Sequence, residues 1–152
     1  MNGNSRLRAV LIGGTIGGTL DILFALIFAA VNGVGPVRLL QTVASGLLGE
    51  EAYAGGTPAA ALGLAGHFIM SYLWAALFVA IAVRLQRLTV RPILAGAIFG
   101  ILVFFTMRLV VLPLSAFPHP VSFKPVSAGL DLLSHMFLFG VPIALAAARR
   151  KE

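Results

Sequence analysis

The sequence predicts an all-α integral membrane protein, a four-helix bundle with both termini in the cytoplasm and a short interfacial helix in the first outer loop. The first observation is compositional: 59% of the 152 residues are hydrophobic and 11% are charged, whereas a soluble domain carries about a quarter charged residues. The second is that four windows stay apolar for about 20 residues, the length that spans a bilayer. We therefore expect a single transmembrane domain over residues 1–152.

The four spans are predicted at 9–30, 59–83, 92–113 and 126–148. Basic residues precede the first span, as in a signal peptide. Its apolar run is too long for that role and it lacks a clear small-residue cleavage site, so we expect a retained helix.

The two outer connections differ in character. Residues 36–48 begin with a proline suited to a first helical turn and carry apolar residues at helical spacing, which predicts a helix in the outer interface. An ordinary loop helix packed on the bundle is the alternative. Residues 113–125 contain four prolines, which favour an extended, stiff path, and His119 lies between two of them, where we expect it to be solvated.

Orientation follows from the positive charges that flank the spans. Arg38 and Lys124 lie on the predicted outer side, and Arg108 lies inside the third span. The other eight basic residues are on the opposite side, which places both termini in the cytoplasm: Arg6, Arg8, Arg84, Arg87, Arg91, Arg149, Arg150 and Lys151.

Charge and cysteine content exclude several classes of function. The net charge of +6 does not indicate nucleic-acid binding, because the basic residues lie between apolar runs instead of clustering on one exposed face. The chain has no cysteine, so thiolate metal sites, disulfides and a cysteine nucleophile are absent. Serines in the spans do not sit in a nucleophile-elbow pattern, and we expect no enzymatic activity.

Small residues form stripes on two of the predicted spans. Close helix packing in lipid uses such residues, and G-x-x-x-G spacing occurs twice in the first span and once in the third. A nucleotide-binding loop is not indicated, because the G-x-G-x-x-G spacing is absent. The glycines predicted to pack helices are Gly13, Gly14, Gly17, Gly18, Gly96 and Gly100.

Polar residues continue these stripes at near-helical offsets and should face the bundle interior. We call them the polar seam: Asp21, His67, Arg108, Asp131 and His135. Counted from the predicted outer ends of their spans, Arg108 and Asp131 both lie about 7.5 Å deep. An arginine in lipid needs a carboxylate partner, so we predict a buried Arg108–Asp131 ion pair. The remaining three lie about 12 to 13.5 Å deep and could form one polar layer.

Three short segments resemble the YagU-like family of small bacterial inner-membrane proteins. They are AGH (65–67), VLPLSAFPHP (111–120) and DLLSH (131–135), and the resemblance covers mainly residues 65–150. It implies a multispanning topology and a bacterial inner membrane, and it supplies no reaction. The family's acid four residues before a histidine falls on Asp131 and His135, whereas a family histidine in the third span is replaced by Arg108.

Three functions remain open at this point. The first is a structural or accessory membrane component, in contact with the lipid bilayer and held in a homo-oligomer or a larger membrane complex. The second is a haem or divalent-metal site, in which His67, His135 and Asp21 would supply two histidines and a carboxylate. The third is proton or small-solute translocation, because Asp and His chains serve as proton relays in membranes.

Overall fold

The structure is a computed structural model that describes residues 2–148, and the basic residues Arg149, Arg150 and Lys151 lie outside this range. Within it the chain is helical and contains no strand. Four helices are long and apolar enough to cross a membrane, namely α1 (Gly3–Val31), α3 (Gly56–Arg84), α4 (Pro92–Leu114) and α5 (Pro125–Ala148). The shorter α2 (Pro36–Leu48) lies between the first two. The all-α, four-helix prediction is confirmed.

Helix α1 begins six residues before the predicted span because of a polar cap. Asn2 Oδ1 accepts a hydrogen bond from Ser5 N at 2.9 Å, which satisfies one of the free N–H groups of the first turn. The helix ends at Val31, and Gly33 then adopts a positive φ of 77° in the turn that leads to α2. The apolar window therefore marked the membrane-spanning part of a longer helix.

Helix α2 occupies the predicted residues and packs across the start of α3. The contact is close, since a Cβ on Gly63 would collide with the Leu40 carbonyl. The buried side chains of α2 are Gln41, Ala44 and Ser45, so part of its polar side faces the protein. Gln41 Nε2 donates to Gly56 O at 3.1 Å, which removes the penalty of burying an unpaired amide.

Helices α4 and α5 each contain a stretch in which the turn widens. Met107–Val111 of α4 and Ser134–Gly140 of α5 are π-helical. Wider turns of this kind are rare and often occur at functional sites. Each stretch contains a member of the polar seam, Arg108 in one and His135 in the other.

Glycines set the order in which the helices pack. On α1, added Cβ atoms at Gly13 and Gly17 would meet Ile143 and Phe139 of α5, whereas those at Gly14 and Gly18 would meet Tyr72 and Ser71 of α3. Gly96 and Gly100 of α4 face the backbone of α5 at Gly140 and His135. The helices therefore follow the order α3–α1–α5–α4.

The inner half of the bundle, nearest the predicted cytoplasmic side, holds its apolar core. Phe78 of α3 meets Phe99 of α4 in an edge-to-face contact with ring centroids 5.0 Å apart. Ile143 of α5 is fully buried in the same cluster. This core leaves the polar residues to the outer half, where the candidate site lies.

Candidate functional site

Arg108 is a residue of α4, and its side chain lies against α5 and the outer loop formed by residues 115–124. Its Nη2 donates to Asp131 Oδ2 at 2.7 Å, and its Nη1 donates to Ser122 O at 2.7 Å. The guanidinium carbon also lies 4.9 Å from the centre of the Phe104 ring, a favourable cation–π distance. The structure thus brings together the two residues of the predicted ion pair and adds the loop carbonyl as a third partner.

Asp131 also approaches His135, one turn further along α5. His135 Nδ1 lies 2.9 Å from Asp131 O and 3.2 Å from Asp131 Oδ1. A carbonyl oxygen only accepts hydrogen bonds, so Nδ1 carries the proton and donates it. The same nitrogen lies 3.9 Å from Asp21 Oδ1 of α1. His135 is therefore placed between two carboxylates on different helices.

Asp21 is held by a serine that sequence reasoning missed. Ser134 Oγ donates to Asp21 Oδ1 at 2.9 Å and is almost completely buried. This hydrogen bond joins α1 to α5. The signal was present in the sequence, because Ser134 precedes His135 and lies three residues after Asp131, a spacing that keeps it near the same helix surface.

His67 occupies the contact between α1 and α3. Its Nε2 donates to Gly18 O at 2.8 Å, and one turn further on Ser71 Oγ donates to Gly14 O at 2.7 Å. The glycines expose these carbonyls to the neighbouring helix because they have no side chains to cover them. His67 and Ser71 therefore fasten α3 to the glycine stripe of α1.

The predicted layer of Asp21, His67 and His135 is only partly assembled. Asp21 and His135 approach each other, but His67 makes no hydrogen bond or ion pair with either within residues 2–148. In the same range, no three His, Cys, Asp or Glu side chains are grouped in a way that could hold a metal ion. The donor set expected for a divalent metal is therefore not brought together.

The outer loop is docked on α2 and on the 3₁₀ turn Gly49–Tyr53. Ala116 N donates to Gly46 O at 3.0 Å, and Tyr53 OH lies 3.0 Å from His119 Nε2. Arg38 stacks on the Tyr53 ring, 3.7 Å from its centre. We expected His119 to be solvated, and its side chain is indeed exposed, but it is also hydrogen-bonded to Tyr53. These contacts hold the loop over the outer ends of α4 and α5.

A cavity of about 380 Å³ lies beneath the outer loop. Arg108, Asp131 and His135 form its polar end, and its other walls are mostly apolar, including Phe104, Met107 and Phe117. Both π-helical stretches border it. Ser122 is a lining residue that sequence reasoning missed, and no sequence signal identified it because it acts through its backbone carbonyl.

The site as a whole can lock helices, and its donors and acceptors can also bind a small polar group. Its buried serines Ser71 and Ser134 donate to a carbonyl and a carboxylate, and neither bonds a histidine. No protein-family model, curated protein or solved structure matches this chain.

Proposed function

We propose that this multi-pass membrane protein is a structural or accessory component of the bacterial cytoplasmic membrane. One observation carries the proposal: polar side chains of the spans bridge three pairs of packed helices. His67 and Ser71 join α3 to α1, the Ser134–Asp21 bond joins α5 to α1, and the Arg108–Asp131 pair joins α4 to α5.

We call this set of hydrogen bonds and the ion pair between the spans the helix lock, because it fixes how the helices pack. A polar group in lipid must find a partner inside the protein, so each bridge favours one helix arrangement over the alternatives. Interhelical hydrogen bonds contribute about 0.6 kcal/mol each on average. Several of them therefore add a modest stabilisation and a strong constraint on which helix faces meet.

The other two functions receive less support from the geometry. A metal site would need a donor set that the described residues do not assemble. Translocation would need a polar path through the inner half, where apolar side chains such as Phe78, Phe99 and Ile143 fill the space. The cavity under the outer loop is confined to the outer half.

Orientation, origin and assembly are part of the proposal. The excess of basic residues at the predicted cytoplasmic ends supports the orientation, and the resemblance to the YagU-like family supports a bacterial inner membrane. Helix α2 presents Val37, Leu47 and Leu48 outward, with Leu47 67% exposed. This apolar edge is the surface by which the protein would attach to a larger complex or to a second copy.

Native electrophoresis of membranes dissolved in a mild detergent tests the attachment. We expect the wild-type chain to migrate well above its 15.9 kDa mass and Leu47→Ser to release it to the size of a monomer. The matched control is Leu114→Ser, because Leu114 is 83% exposed at the outer end of α4. A wild-type chain that migrates as a monomer, or equal release by both substitutions, would contradict the accessory role.

A further inference from the structure

The cavity under the outer loop has a composition that a helix lock alone does not require. Apolar walls from Phe104, Met107 and Phe117 lead to a polar end at Arg108 and His135. Small-molecule sites share this plan, with mostly apolar walls and a few polar groups that fix orientation, and they begin at about 300 Å³. The volume of about 380 Å³ falls at the small end of that range.

The polar end offers the Asp131 carboxylate, a further acceptor on His135 and several donors. Because His135 Nδ1 donates to Asp131 O, the ring in its neutral form carries a lone pair on Nε2, for which no partner occurs within residues 2–148. Arg108 uses one N–H of each terminal nitrogen. Its Nε is buried without an acceptor in the described part of the chain, so the five N–H groups of the guanidinium are only partly satisfied.

The ion pair of Arg108 and Asp131 favours a neutral ligand. Arg108 and Asp131 neutralise each other across 2.7 Å. An anion bound at this end would compete with Asp131 for the guanidinium, and a cation would compete with Arg108 for the carboxylate. A hydroxyl group suits the site best, because it can donate to His135 Nε2 and accept from the guanidinium at the same time.

We propose that the cavity under the outer loop binds a small neutral molecule consisting of an apolar ring with a hydroxyl group. The ring lies between Phe104 and Phe117, and the hydroxyl points to His135 and Arg108. This site is additional to the helix lock, so a protein that fails to assemble with partners can still bind the ligand, and the two proposals fail separately.

Binding of 2-naphthol to the full chain in nanodiscs tests the proposal, with empty nanodiscs subtracted for partition into lipid. We expect saturable binding of one 2-naphthol per chain. Naphthalene, which lacks the hydroxyl, should bind about tenfold more weakly, as expected for the loss of one or two hydrogen bonds. The anion 2-naphthoate should bind more weakly than 2-naphthol.

Two variants locate the site, and a third serves as the control. His135→Leu should remove the preference for 2-naphthol over naphthalene, whereas His67→Leu, which alters a half-buried histidine outside the cavity, should leave it unchanged. Val121→Trp fills the cavity from the loop and leaves every residue of the polar seam in place, and it should abolish saturable binding of both ring compounds. Equal binding of naphthol and naphthalene, tighter binding of naphthoate, or unchanged binding to the Val121→Trp protein would each overturn the proposal.

Discussion

Replacing Arg108 with leucine is the most informative perturbation of the polar seam. The change removes two hydrogen bonds of 2.7 Å, one to Asp131 and one to the carbonyl of Ser122. It also leaves the Asp131 carboxylate without its cation. Removing one partner from a buried pair is costly because the remaining charge has lost its compensation.

The expected magnitude follows from the contacts and their exposure. Hydrogen bonds to charged groups contribute about 1.5 to 3 kcal/mol each, but the side chains of Arg108 and Asp131 are 19% and 33% exposed, and this incomplete burial reduces the loss. We therefore expect Arg108→Leu to lower the free energy of unfolding by about 2 to 4 kcal/mol. Asp131→Leu should cost about 1 to 3 kcal/mol, since Arg108 keeps Ser122 as a partner.

The double variant decides whether the pair is the cause. If the two residues act together, Arg108→Leu with Asp131→Leu should cost about 1 to 2 kcal/mol less than the sum of the single changes. Unfolding can be followed in mixed micelles through the fluorescence of Trp74, the single tryptophan, which contacts Phe99 in the core. Additive losses would refute the reasoning. Arg87→Leu serves as the control, because Arg87 is exposed and its replacement should change the free energy of unfolding by less than about 0.5 kcal/mol.

Three further predictions concern packing, orientation and the outer loop. Gly100→Ala should destabilise the bundle by about 1 to 3 kcal/mol because its Cβ would meet the α5 backbone, whereas Gly66→Ala, with nothing within 4 Å, should stabilise it by about 0.5 to 1 kcal/mol. In this cysteine-free chain, a membrane-impermeant maleimide added to intact cells should label Lys124→Cys and not Gln86→Cys, and the reverse result would invert the proposed orientation. Tyr53→Phe removes an exposed hydrogen bond to the outer loop, so proteolysis of residues 115–124 should accelerate while the midpoint of global unfolding barely moves.

Glycine spacing and charge were enough to predict much of this architecture. Two overlapping G-x-x-x-G pairs on α1 indicated close helix packing, and in the structure Gly13 and Gly17 meet α5, whereas Gly14 and Gly18 meet α3. Arg108 and Asp131 could be matched because both lay at the same depth and an arginine in lipid requires a carboxylate. These inferences succeeded because they rest on properties of single helices, namely period, length and burial of charge.

Features that depend on several segments escaped prediction. The sequence left open whether α2 lies in the outer interface or packs on the bundle, and it did not indicate that Gln41 is buried against α3, where the carbonyl of Gly56 accepts its hydrogen bond. The hydrogen bond from Arg108 to Ser122 O could not be predicted from the sequence either, because its acceptor is a backbone group whose position depends on how the loop folds. Hydropathy and helical spacing do not encode such partners.

The widened turn of α5 explains how Gly140 and His135 both come to face α4. Gly96 and Gly100 are four residues apart, close to one α-helical turn, and they face α5 at Gly140 and His135. Those two residues are five apart, which in a regular α-helix would set them about 140° from each other. In the π-helical stretch Ser134–Gly140 a turn closes through i to i+5 bonding, so five residues bring both back to the face against α4. An α-helical turn on α4 is thereby matched by a π-helical turn on α5. This register lets one surface of α5 offer both a glycine for close packing and a histidine for the polar seam.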